Sequence, residues 1–190
     1  VANPSLIFSG GGQGRGVGSA VVPVLEGSRP LLVEIQALST PAGFGPPRRV
    51  ANGFDVNRLL LITAVLSKRA RIRLADQDVI VNVTGGLRIS EPAADLGVAL
   101  AIASCVRDRA LSRGVVVFGE LGLGGELRTV TQASRRLSEA RRLGFDSCVL
   151  PRETKVEPSA MDGMRLLRAS SLGNAVSLAL EREGAEPDAG

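Results

Sequence analysis

The sequence predicts a single α/β (α+β) domain over residues 19–183, on three observations. Segments with strand character alternate with segments of helical period in the order β-β-α-β-α-β-β-α-β-α. The connections between them mix a tight hairpin with longer crossovers. The hydrophobic content, 44 % of 190 residues, is enough for one core of ordinary size.

The elements follow in order. Ser9 to Gly18 is glycine-rich, but no Lys-Ser/Thr follows it as a phosphate-cradling loop requires, so residues 1–18 read as a flexible connection. Val17–Glu26 and Pro30–Leu38 are rich in Val, Leu and Ile and flank Gly27-Ser28-Arg29, a hairpin signal. Ser39–Gly53, with Pro46-Pro47, reads as an extended loop that presents Arg48 and Arg49. Asp55 is placed to cap a helix whose apolar residues Leu59, Ile62, Leu66 and Ala70 recur at helical steps up to Arg71. Asp78–Val83 alternates as a strand and stops at Gly85-Gly86. Ala93–Arg107 is apolar on most sides, hence a buried helix. Val115–Phe118 is a short buried strand, and a glycine-rich turn over 119–128 leads to a brief strand near Leu127–Val130. Thr131–Leu143 is a third helix stopped by Gly144. Asp146–Leu150 is a strand ended by Pro151, and Ser171–Glu183 is the last helix, with residues 184–190 a fraying tail.

Composition narrows the function classes. With no His, Ser-His and Cys-His chemistry is excluded. Two cysteines, Cys105 and Cys148, cannot make a zinc site without several carboxylates and read as buried reduced thiols. No Trp or Tyr and only five Phe argue against base stacking on aromatic platforms. The charge is +4 and almost wholly arginine, a side chain suited to bidentate phosphate contact. No apolar run is long enough to span a bilayer. The start, Val1-Ala2-Asn3-Pro4-Ser5, has neither a signal-peptide pattern nor an initiator Met, which suggests a segment of a longer cytoplasmic protein.

Several segments carry a resemblance. Gly119-Glu120-Leu121-Gly122-Leu123-Gly124-Gly125-Glu126-Leu127-Arg128, followed by a helix and by Leu143-Gly144-Phe145-Asp146-Ser147-Cys148-Val149-Leu150-Pro151, resembles the pattern of Lon-type proteolytic domains. Asn3-Pro4-Ser5, the stretch from Glu26 to Leu38, and Asp76-Gln77-Asp78 leading to Val81-Asn82-Val83-Thr84-Gly85-Gly86-Leu87-Arg88 narrow it to the Lon-like C-terminal domain of the bacterial RadA/Sms family. The resemblance runs from about Asn3 to about Leu180. It implies a Lon proteolytic-domain fold, ribosomal protein S5 domain 2-like. It also implies a zinc motif and an ATPase core elsewhere in the longer protein, so ATP, Mg and Zn are expected there and no cofactor here. Lon-type proteases use a Ser-Lys dyad; alignment on Gly97 puts Asp95 at the serine position, and counting from Gly119 puts Ser134 at the lysine position. From this degenerate dyad the segment is expected not to be an enzyme. A peptidase built on Asp95 and Glu91 is the remaining catalytic reading.

The resemblance further implies a homohexameric ring, double- and single-stranded DNA as partners, a link to the recombinase RecA and to branch migration, and a nucleoid-associated location. The candidate phosphate contacts are Arg48, Arg49, Arg29, Arg58, Lys68, Arg69 and Arg71, with Arg73 beside them; between Pro46 and Ala75 only Asp55 opposes seven basic residues. The second basic run, Arg135, Arg136, Arg141 and Arg142, is expected to face solvent or a neighbouring subunit. The alternative is a structural oligomerisation scaffold without direct DNA contact.

Overall fold

The computed structural model describes residues 16–180, and what was expected of residues 1–15 and 181–190 lies outside them. The architecture is α/β, as expected. A mixed four-stranded sheet has the order β1-β2-β4-β3, and a parallel three-stranded sheet the order β5-β8-β9. The first sheet comprises β1 (Ser19–Glu26), β2 (Arg29–Pro41), β3 (Arg49–Asn52) and β4 (Gln77–Val83). The second comprises β5 (Val115–Val117), β8 (Ser147–Pro151) and β9 (Arg165–Ala169), and between them β6 (Glu120–Leu121) and β7 (Leu127–Arg128) form a small hairpin.

The β1–β2 hairpin turns at Gly27, whose φ of 63° is the left-handed conformation a two-residue hairpin favours. Every residue of β1 from Ser19 to Val24 is buried, so this strand is covered on both faces. Helix α1 (Val56–Arg69) is capped by the Asp55 carboxylate, which accepts from the Arg58 N–H at 2.9 Å. Helix α2 (Asp95–Arg107) is buried without interruption from Asp95 to Ser104. It packs on β1 and β2 and on α1 and α5 (Leu172–Ala179). Gly97 is required there, because a Cβ at that position would collide with Val22 on β1.

The structure differs from expectation in several places. Part of the anticipated loop over 39–53 is ordered sheet: β2 continues to Pro41, and β3 pairs in parallel with β4. Such a strand has no local partner, and its four residues are too few to show a period. Strand β9 and the short helix α4 (Pro158–Met161) also lie where no element was expected. Strand β9 is an edge strand with arginines at 165 and 168, which obscure its alternation. Finally, Cys105 is only half-buried, whereas Cys148 is fully enclosed and burial pushes its thiol well up.

Two arginine–carboxylate pairs tie the layers together. Arg136, on α3 (Ala133–Arg142), was expected at the surface; its side chain is instead 1 % exposed. Its guanidinium donates to Glu91 Oε1 and Oε2 at 2.6 and 2.9 Å, to the Pro23 carbonyl at 2.9 Å and to the Thr131 carbonyl at 2.9 Å, and it lies 5.9 Å from the centre of the Phe118 ring. Glu91 Oε1 also accepts from the Leu25 N–H. Arg58 on α1 grips both oxygens of Asp95 at the start of α2, and the Leu121 N–H of β6 donates to Asp95 Oδ2 at 3.1 Å. Burial pushes the Asp95 carboxyl up, while Arg58 and the Leu121 N–H oppose that rise. Asp95 thus joins α1, α2 and β6 and does more than sit as an anion in a helix's first turn.

Removing one partner of a buried pair leaves an uncompensated charge. Arg136→Ala is expected to lose about 3–5 kcal/mol in urea unfolding. Arg136→Lys should recover only part of it, because an ammonium cannot meet Glu91, Pro23 and Thr131 together. Arg58→Ala is expected to cost about 3 kcal/mol, at the low end because the Arg58 side chain is partly open to water. The double substitution Arg58→Met/Asp95→Leu should restore most of that loss in the same measurement, as apolar replacements of buried pairs do.

Candidate functional site

The expected cationic residues fall into separate groups. Arg48 and Arg49 lie where the chain enters β3, and both are fixed in place. The Arg48 N–H donates to Asp78 Oδ1 at 2.7 Å, and its guanidinium pairs with Asp78 Oδ2 at 3.2 Å. These bonds to Arg48 hold the Asp78 carboxyl below the usual carboxylate range. Even so, the Arg48 side chain is 79 % exposed. The Arg49 guanidinium donates to the carbonyls of Gln77 and, at 3.0 Å, of Leu74. It makes no salt bridge among the described residues but lies close enough to help stabilise the Asp78 carboxylate, so Arg48, Arg49 and Arg73 against Asp76 and Asp78 leave one positive charge in excess. The expectation that a loose Pro/Gly loop presents these two arginines freely is therefore corrected: β-pairing and the turn before β4 hold them.

Arg73 joins this patch, since it precedes Leu74 and pairs with Asp76 at 3.6 Å while its side chain stays 83 % exposed. Lys68, Arg69 and Arg71 are exposed at the end of α1, on the stretch of chain that runs into Leu74. Arg71 has a left-handed φ of 56°, and the stem of Arg69 packs where a side chain on Gly125 would stand. One surface thus carries Arg48, Arg49 and Arg73, with Arg49 bound to the Leu74 carbonyl in the stretch that follows α1. An open recess of about 450 Å³, lined by Ser39, Arg73, Asp76, Gln77, Cys105 and Val106, adjoins it.

Arg29 and Arg58 do not belong to this surface. Arg29 starts β2, whereas the patch lies beyond the other end of that strand; the length of the strand separates the two by roughly 40 Å. At the hairpin tip Arg29 has Arg135 for a neighbour, which donates to the Ser28 carbonyl at 3.0 Å. Arg58 is turned inward onto Asp95. The rest of the second basic run makes internal contacts: Arg141 with the Ser159 and Asp162 carbonyls, and Arg142 with Glu139. Arg73 was expected beside the candidate phosphate contacts; the anchoring roles of Asp78 and of the Leu74 and Gln77 carbonyls were not legible beforehand. The one signal for them was the Asp76-Gln77-Asp78 triplet at the start of β4.

The two dyad positions are both occupied by internal bonds. Asp95 is held by Arg58, and the Ser134 hydroxyl accepts from the Glu157 N–H at 3.0 Å. Glu91, the second carboxylate of the peptidase reading, is held by Arg136. Each carboxylate thus has its own arginine. No helix among the described residues is long and apolar enough to cross a membrane.

Comparison with known proteins places these features in a family. Residues 61–154 match the family model described as subunit ChlI of Mg-chelatase. This corrects the expectation that the segment is not an enzyme: that stretch, which includes Asp95 and Ser134, is similar to a subunit of an enzyme. The chain is 46 % identical over 178 residues to the DNA repair protein RadA of Escherichia coli (strain K12), covering 94 % of this chain and 38 % of that protein. It is 44 % identical over 178 residues to RadA of Aquifex aeolicus (strain VF5), covering 94 % and 39 %, and 43 % identical over 182 residues to RadA of Halalkalibacterium halodurans, covering 96 % and 40 %. The chain therefore spans about two fifths of the length of these relatives, and by this similarity along nearly all of its own length it belongs to the RadA family of DNA repair proteins.

Proposed function

We propose that this chain is the Lon-like C-terminal portion of a RadA-type repair and recombination protein, and that it contacts DNA phosphates through Arg48, Arg49 and Arg73, with Lys68, Arg69 and Arg71 beside them. The observation that carries this reading is the anchored but solvent-facing Arg48 next to Arg49, whose guanidinium is held by backbone carbonyls. Guanidinium groups held in place lose little entropy on meeting a phosphate, and they position a duplex without reading its bases. In this reading Arg29 is a separate contact at the hairpin tip and Arg58 is structural. The longer protein carries the zinc motif and the ATP-driven core, works with RecA in branch migration, and closes into a hexameric ring.

A second reading, assembly without DNA contact, is favoured by one feature. Leu38, Ile80 and Val50 are partnered across β2, β4 and β3 and are all exposed, so they form an apolar row on the open face of the sheet.

Fluorescent double- and single-stranded DNA titrated across a salt series, with mass measured in parallel, separates the two. Phosphate contact predicts that Arg48→Ala/Arg49→Ala flattens the log–log salt slope by about 0.9 for each lost contact. A stable ring with no DNA affinity at low salt would leave the scaffold reading.

The Arg48–Asp78 anchor has its own pH signature. Because the folded Asp78 value is lowered, the anchor is fully present above the unfolded carboxylate value of about 3.9 and is lost as pH falls through the folded value. An NMR titration of Asp78 should therefore give a midpoint below about 3.9. In Arg48→Ala that midpoint should move up but stay depressed, since the backbone N–H at residue 48 still donates.

A further inference from the structure

Four phenylalanines lie among the described residues, and three of them, Phe54, Phe118 and Phe145, are buried. The fourth, Phe44, is fully exposed. It stands in the loop between β2 and β3, whose two ends are pinned: the Ala42 N–H donates to the Asp76 carbonyl at 2.8 Å, and the Arg48 N–H to Asp78 at 2.7 Å. Between these pins the neighbouring glycines, Gly43 and Gly45, have open space around them, and Gly45 takes a positive φ of 102°. The loop therefore presents one aromatic ring to water between two pinned ends, where it adds nothing to the core.

The charges around its base belong to the cationic patch. Asp76 and Asp78 at the loop's roots are paired with Arg73 and Arg48, and Arg49 leaves the group with one positive charge in excess. An aromatic face beside such guanidinium groups matches a nucleotide in chemistry, base against ring and phosphate against arginine. The composition alone argued against stacking because aromatics are so few; one ring suffices when the backbone isolates it at the edge of a basic surface.

We propose that Phe44 stacks on an unpaired base of single-stranded DNA whose phosphates are held by Arg48, Arg49 and Arg73. The proposal rests on the phosphate-contact reading above and adds to it a preference for unpaired over paired DNA.

The chain contains no Trp or Tyr, so Phe44→Trp makes a single fluorescent reporter. Titrating that variant with an oligothymidylate strand at low salt should quench its emission, whereas a blunt duplex of equal length should quench it little. Phe44→Ala should weaken single-strand affinity by about tenfold, the size of one base–aromatic stack, and leave the salt slope unchanged because no ionic contact is lost. Phe44→Leu, which keeps an apolar side chain but no ring, should resemble Phe44→Ala. If the strand binds with a normal salt slope but neither quenches the Phe44→Trp reporter nor loses affinity in Phe44→Ala, the stacking proposal fails and phosphate contact stands. If no variant binds either DNA at low salt, phosphate contact fails and takes the stacking proposal with it. If Phe44→Ala lowers the particle mass and leaves DNA affinity alone, the ring is a contact between copies of the chain and the proposal is overturned.

Discussion

A helix buried on all sides constrains everything around it. Ten consecutive residues of α2 are shielded from water, so the sheet, α1 and α5 must close on it from different directions. Its side chains are small where approach is closest, with Gly97 against Val22, and large where there is volume to fill, with Leu96 and Leu100 among the largest fully buried side chains. Such a helix can stabilise the domain only if the polar groups at its buried end are satisfied. Asp95 stands at that end, and Arg58 and the Leu121 N–H meet its carboxylate there. The second pair, Glu91 with Arg136, closes the approach to α2 four residues earlier and draws in β1 and α3. Both pairs act as locks on how the layers are arranged, since buried ion pairs contribute little net stability yet are costly to break.

The same packing determines which cations are free to act. Of the basic residues between 46 and 75, Arg58 points inward because α1 lays its inner face on α2. The residues at the C-terminal end of α1 and around the turn before β4 are left outside. Strand β3 then brings Arg48 and Arg49 to that turn by parallel pairing with β4, a contact between residues some thirty positions apart. The basic surface is thus a consequence of sheet topology, and its arginines are held by backbone carbonyls and by Asp78 before any partner arrives.

Some of this was legible in the chain. The β1–β2 hairpin followed from a glycine-containing turn between two branched-aliphatic runs, the cap of α1 from an Asp before a helical repeat, and the burial of α2 from its lack of any polar face. Strands β3 and β9 were not, because their pairing partners are distant and their few residues carry no period of their own. The fate of individual arginines was hidden for a related reason. Arg135 and Arg136 are neighbours in the sequence and both polar by type, yet one lies at the surface and the other is sealed against Phe118. Arg136 falls on the apolar face of α3 with Ala133, Leu137 and Ala140, and Glu91 and the Pro23 carbonyl, both far along the chain, make its burial possible.

Local rules of period, capping and turn chemistry act within a few residues, so the sequence by itself determined the α/β class, most of the elements and the arginine-rich, histidine-free character that bounds the chemistry. Long-range pairing and burial act between residues far apart in the chain. Only the tertiary structure could therefore decide that Arg58 and Arg136 belong to the interior, that Arg48, Arg49 and Arg73 share one surface, and that a single phenylalanine stands in water beside them. The physical reason is desolvation: whether a charge or a ring is buried depends on which distant groups arrive to meet it.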